Sequence, residues 1–168
     1  MVENKEINLV SDLKDKDEVL ARSYNDLLYF GRAFLPADFL NKSSSPAFHE
    51  EVGKKLIDTS PGARICNILP RGFGKSILSK AAILHKIVFS PKGHRQFMAW
   101  VAEEQGQAID HLKYVKSHLE YNDSIRYYFG NLAGDSVGNR WTEKDIVTSK
   151  GDRLIAKGTS QRLRGRTE

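Results

Sequence analysis

The stretch Leu69-Pro70-Arg71-Gly72-Phe73-Gly74-Lys75-Ser76 constrains this chain more than any other. It follows a short apolar run, Ile65 to Leu69, and opens an apolar pattern with helical spacing. That setting reads as a phosphate-binding loop between a strand and a helix. Each residue type has a chemical reason to be there. Gly72 and Gly74 let the backbone turn tightly and set its N–H groups against phosphate oxygens, at a helix N-terminus that already favours negative charge. Lys75 would reach the β- and γ-phosphates, and the Ser76 hydroxyl would ligate Mg²⁺. One position departs from the usual pattern: glycine normally stands five residues before the Gly-Lys pair, and here Leu69 does. Elsewhere a Gly-Lys-Ser tripeptide can be no more than a helix cap followed by a solvated lysine. The flanking strand and helix, more than the letters, mark this one as a phosphate-binding loop.

The rest of the chain supplies an α/β pattern around the loop. Apolar residues at Leu20, Tyr24, Leu27, Leu28, Phe34 and Leu35 predict one amphipathic helix from Glu18 to Leu35, ending near Pro36. Lys42 to Pro46 is a polar connector, Ala47 to Ile57 a short helix, and Ser60-Pro61-Gly62 a turn. A strand from Arg64 to Leu69 leads into the loop, and Ser76 to Phe89 reads as a helix buried against a sheet. Gln96 to Ala102 reads as a buried strand, with Trp100 in the core. Ala108, Leu112, Val115 and Leu119 mark one face of a helix over Glu103 to Glu120. Gly130, Gly134 and Gly138 punctuate a loop, after which Ile146 to Thr148 and Arg153 to Ala156 read as a β-hairpin joined through Lys150-Gly151-Asp152. Strand, helix, strand, helix is the order of an α/β domain.

Composition narrows the partners. The chain has 168 residues, 28% of them charged and 40% hydrophobic, enough for one domain with a real core. No apolar run is long enough to span a membrane, and Met1 to Lys5 opens neither a signal nor a transit peptide. The single cysteine, Cys66, lies in the apolar run before the loop, reads as a small buried hydrophobe, and implies a reducing compartment. The net charge of +5 is unevenly placed: Arg153, Lys157, Arg162, Arg164 and Arg166 crowd the C-terminal end. Such a cluster suits a nucleotide, a nucleic-acid backbone, or simply a solvated face.

Hydrolysis of a nucleotide needs carboxylates at the end of an apolar strand. Glu103 and Glu104 are the one pair so placed, and they fit the acidic start of a helix better than a magnesium site. The five histidines, His49, His85, His94, His111 and His118, show no metal-ligand spacing and read as surface or packing residues. Trp141 beside Arg140 is either a packing anchor or an exposed stacking group.

Three segments together carry a family resemblance: Pro70-Arg71-Gly72-Phe73-Gly74-Lys75-Ser76, Pro46-Ala47-Phe48-His49-Glu50, and Gly158-Thr159-Ser160-Gln161-Arg162-Leu163-Arg164-Gly165-Arg166. From about Phe30 to Glu168 the chain resembles the large terminase subunit of tailed phages, whose loops often lack the first glycine and carry an internal arginine. Residues 1–40 read as an N-terminal helical segment, and the resemblance implies that 41–168 is the N-terminal part of a P-loop ATPase domain of α/β class, an incomplete sheet with flanking helices to which the patterned C-terminal hairpin is added. It implies ATP and Mg²⁺ held by Arg71, Gly72, Phe73, Gly74, Lys75 and Ser76, with Arg71 on the γ-phosphate side. It also implies adenine contacts from Phe48 and His49, for which an amphipathic helix with its aromatic turned inward is the competing reading. Arg164 or Arg166 is implied as a finger reaching a neighbouring subunit, in competition with a solvated basic turn. The implied setting is the host cytoplasm, where a homo-oligomeric ring packages double-stranded DNA with a portal and a small terminase subunit. The strand bearing the hydrolytic carboxylates and the nuclease domain would follow Glu168, so this stretch alone is expected to be unstable and not to hydrolyse ATP. A helicase-like P-loop ATPase and a non-catalytic nucleotide-binding fragment remain open alternatives.

Overall fold

A computed structural model of the chain describes residues 16–39, 45–57, 64–91, 93–134 and 140–160. Among them it forms seven α-helices and one mixed sheet of three strands, in two compact units that divide between His85 and Lys86.

The first unit is helical. It holds α1 (Lys16–Asn25), α2 (Leu27–Phe34), α3 (Pro36–Phe39), α4 (Ala47–Ile57) and the beginning of α5 (Lys75–Val88). The single helix expected from Glu18 to Leu35 is in fact two. Asp26 leaves helical geometry at φ −133° and ψ 107°, and its carboxylate accepts from the backbone N–H groups of Leu28 and Tyr29. The apolar periodicity runs straight through this break, because a hydrogen-bonded cap rather than a proline or glycine makes it. α2 is apolar almost all round, with Leu27, Leu28, Phe30, Ala33 and Phe34 buried, and it packs against α1, α3 and α4. His85 is buried, and its Nε2 donates to the carbonyls of Ser23 and Tyr24, each at 3.0 Å. Those carbonyls lie in the last turn of α1, where a helix leaves acceptors without donors. The imidazole also stands edge-on to Phe30, with ring centres 5.3 Å apart.

The second unit holds β1 (Phe97–Ala102), α6 (Gln105–Tyr121), α7 (Asp123–Phe129), β2 (Asp145–Val147) and β3 (Arg153–Gly158). On α6 the predicted face is buried throughout, at Ala108, Leu112, Val115 and Leu119, and the helix packs on β1 and β3. The predicted hairpin forms, with β2 antiparallel to β3 and Ile146 opposite Leu154. Its second strand has a further partner. β3 pairs in parallel with β1 over its whole length, from Phe97 opposite Arg153 to Ala102 opposite Gly158, giving the order β1-β3-β2. Parallel neighbours need a long crossover, and α6 lies within it.

β1 is not the fully buried strand its apolar run suggests. Its residues alternate between exposed and half-buried, with Phe97 62% and Val101 44% exposed, because α6 covers one face only. Trp100 is accordingly half-buried rather than core, its ring 4.4 Å from that of His111. α7 had no signal in the sequence pattern. Asn122 starts it by accepting from the Ile125 N–H, and Gly130 ends it at φ 80°. Trp141 is a packing anchor, since its indole N–H donates to the Glu120 carboxylate and the Lys116 ammonium lies 5.6 Å from its ring centre.

Polar side chains tie the hairpin to its surroundings. Asp152 is fully buried, and its Oδ1 accepts from the Gln96 N–H at 2.9 Å and the Ser90 hydroxyl at 3.1 Å. Lys150 Nζ donates to the carbonyls of Val88 at 2.6 Å and Ser90 at 3.1 Å, where α5 ends. Arg153, counted above in the basic cluster, is instead paired with Asp145 through two hydrogen bonds of 2.9 and 2.7 Å. No helix among the described residues is long and apolar enough to cross a membrane.

Candidate phosphate-binding loop

The loop from Pro70 to Ser76 belongs to the first unit. The strand expected over Arg64 to Leu69 is not formed: residues 64–70 carry no strand pairing. Ile65 and Ile68 are 40% and 89% exposed, and Cys66, expected to be buried, is exposed as well. A strand is completed by its neighbours' hydrogen bonds, and the only sheet among the described residues consists of β1, β3 and β2.

The turn itself is built on two glycines. Gly72 and Gly74 take φ values of 88° and 72°, in the left-handed region that strains any residue with a Cβ. The Leu78 N–H donates to the Gly74 carbonyl at 3.0 Å, which opens α5 and leaves the N–H groups of Lys75, Ser76 and Ile77 without acceptors earlier in that helix. They stand at the positive end of the helix dipole. Lys75 folds back over the turn, where Nζ donates to the carbonyls of Leu69 and of Pro70, the latter at 2.7 Å. An ammonium carries three hydrogens, and these two bonds hold the loop in its curve. Arg71 and Ser76 are exposed, and Phe73 is 45% exposed.

The first turn of α4 meets this loop. His49 Nε2 lies 3.1 Å from the Phe73 carbonyl oxygen, between the two positive-φ glycines. The Phe48 ring is 5.7 Å from the Phe73 ring and 4.4 Å from the imidazole of His49. The structure thus brings Phe48 and His49 against Phe73 and Gly74. Further along α4 the Glu51 carboxyl titrates below its ordinary value, because Lys55 donates a 2.6 Å hydrogen bond to it and sets a positive charge beside it.

Other sequence candidates fall elsewhere. Arg164 and Arg166 lie outside the described residues. Glu103 and Glu104 are in the second unit, where Glu104 is the N-cap of α6 and the Glu103 carbonyl accepts from the Thr159 hydroxyl at 3.3 Å. Sequence reasoning gave no sign that the carbonyls of Leu69 and Pro70 would receive the lysine, or that Phe73 would receive His49. Both contacts depend on backbone direction, which side-chain patterning does not encode. Set against family models, curated proteins and solved structures, the chain matches none.

Proposed function

We propose that this chain carries the nucleotide-gripping part of a motor ATPase of the large-terminase kind, which uses ATP to drive double-stranded DNA into a viral procapsid. The observation that supports the reading best is the turn of Gly72 to Lys75 at the N-terminus of α5, with the aromatic side chains of Phe48 and His49 against it. The residues suit the group. Both glycines already hold the curvature that sets N–H groups toward a phosphate, Lys75 stands over the turn, and Ser76 is exposed in the first turn of α5.

Bound ATP would supply a transferable γ-phosphoryl group together with its Mg²⁺. Lys75 and the N–H groups of the first turn would hold the phosphates, Ser76 would offer a hydroxyl to the cation, and exposed Arg71 would supply a guanidinium to stabilise developing negative charge. DNA would be held through its backbone, independently of sequence. A homo-oligomeric ring, a portal, a small terminase subunit and a host-cytoplasmic setting belong to the same proposal.

A second reading, nucleotide binding without turnover, is favoured by the place of Glu104, which serves as the N-cap of α6 as the acidic start of a helix would. Phosphate release measured with Mg·ATP and linear double-stranded DNA, for this chain with and without a segment supplying the hydrolytic carboxylates, separates the two. Turnover that needs the added segment and disappears in Lys75→Ala supports the motor. Binding without turnover even with that segment supports the second reading, and no binding removes both.

A further inference from the structure

We infer that His49 is a positioning residue for the loop, not a reader of the base, in an inference that rests on the nucleotide-binding reading above. A carbonyl oxygen can only accept, so the 3.1 Å contact between His49 Nε2 and the Phe73 oxygen places the hydrogen on Nε2 and commits that nitrogen to the backbone. The bond falls at the loop's least constrained point. Phe73 lies between Gly72 and Gly74, both at positive φ, and a peptide flanked by two glycines has more alternative conformations than any other in the turn.

His49 is itself well anchored. Its backbone N–H donates to the Pro46 carbonyl at 2.9 Å at the start of α4, and the Phe48 ring lies 4.4 Å from its own. A Cβ built on Gly74 would stand 3.5 Å from Nε2, so the imidazole also fills the space beside that glycine. α4 therefore restrains the loop through one hydrogen bond. Freed from it, the Phe73 peptide can rotate, and the N–H groups on either side lose the common direction that a phosphate needs.

Two contrasts test this. In His49→Phe the ring remains and the donor is lost, whereas in His49→Gln an amide nitrogen returns close to the position of Nε2. Calorimetric titrations would use Mg·ATP and, separately, Mg·tripolyphosphate, which has no base. His49→Phe is expected to weaken both ligands by the same factor, roughly tenfold for one hydrogen bond, and His49→Gln to restore most of the loss. A loss confined to ATP overturns the inference in favour of base contact. Unchanged affinity for both ligands, or no rescue by glutamine, overturns it too.

Amide hydrogen exchange without ligand keeps this separate from the nucleotide reading. Peptides covering 71–76 are expected to exchange faster in His49→Phe and to recover in His49→Gln. If exchange responds but wild-type protein binds neither ligand, the restraint is real and the nucleotide reading fails. Unchanged exchange shows that His49 does not hold the loop.

Discussion

The loop at 70–76 and the hairpin turn at 148–152 both combine a lysine that collects backbone carbonyls with a glycine at positive φ. In the hairpin turn, Lys150 Nζ reaches the carbonyls of Val88 and Ser90, with that of Ile87 at 3.5 Å. Gly151, at φ 90°, has the Arg95 side chain 3.2 Å from where a Cβ would stand, and neighbouring Asp152 is fully buried. In the loop, Lys75 takes two carbonyls, nothing lies within 4 Å of a Cβ placed on Gly72, and Arg71 and Ser76 are exposed. The same parts serve different ends. The hairpin turn's polar groups are consumed by the fold; in the loop Lys75 is also bonded to backbone, but Arg71 and Ser76 stay reachable from solvent.

Asp152→Ala should give the largest effect on the hairpin side. It leaves the Gln96 N–H without its acceptor and the Ser90 hydroxyl with the His94 carbonyl alone, which is expected to cost about 2 kcal/mol by chemical denaturation. Asp152→Asn keeps an acceptor at Oδ1 and should cost under about 1 kcal/mol. Oδ2, the atom it replaces, has no hydrogen-bond partner among the described residues, so little is lost there.

Lys75→Ala should show the reverse behaviour. On the proposed reading it would remove a charge-assisted phosphate contact worth about 3 kcal/mol, and it is expected to change folding stability by less than about 1 kcal/mol. Equal losses of stability from Asp152→Ala and Lys75→Ala would erase the contrast between the two turns.

Gly151→Ala and Gly74→Ala sharpen it at a smaller scale. Each forces a Cβ into the left-handed region at a cost of roughly 1–2 kcal/mol. The first should lower the melting temperature alone, and the second should also weaken Mg·ATP in calorimetry. The smallest effect is expected from Ile68→Ser, within about 0.5 kcal/mol in stability, because a side chain 89% exposed gives up little on replacement. Its measurable consequence should be less self-association in light scattering.

Elements whose signal is local were legible in the sequence. The bounds of α4 and the buried face of α6 follow from apolar spacing, and the hairpin from Lys150-Gly151-Asp152 between two apolar runs. The break at Asp26 was hidden because the apolar stripe continues across it while a side-chain cap redirects the backbone. The parallel pairing of β1 with β3 was hidden for a different reason. It joins segments separated by two helices, and register across such a distance leaves no trace in either segment alone. The apolar run at 64–69 suggested a strand and that at 96–102 a buried strand, yet the first forms no strand and the second is half-covered, since pairing and burial depend on partners that composition cannot name. At the site, Gly72, Gly74, Lys75 and Ser76 were legible as a motif. Phe48 and His49 came from resemblance alone, and the hydrogen bond joining α4 to the Phe73 carbonyl came only from the coordinates.

The most direct test of the loop as a phosphate site is a calorimetric titration of Mg·ATP into the wild-type chain and into Lys75→Ala, with both variants checked for the same melting temperature. Saturable binding by the wild type, weakened about a hundredfold in the variant, is the predicted result. No binding by the folded wild type, or equal binding by both, would contradict it.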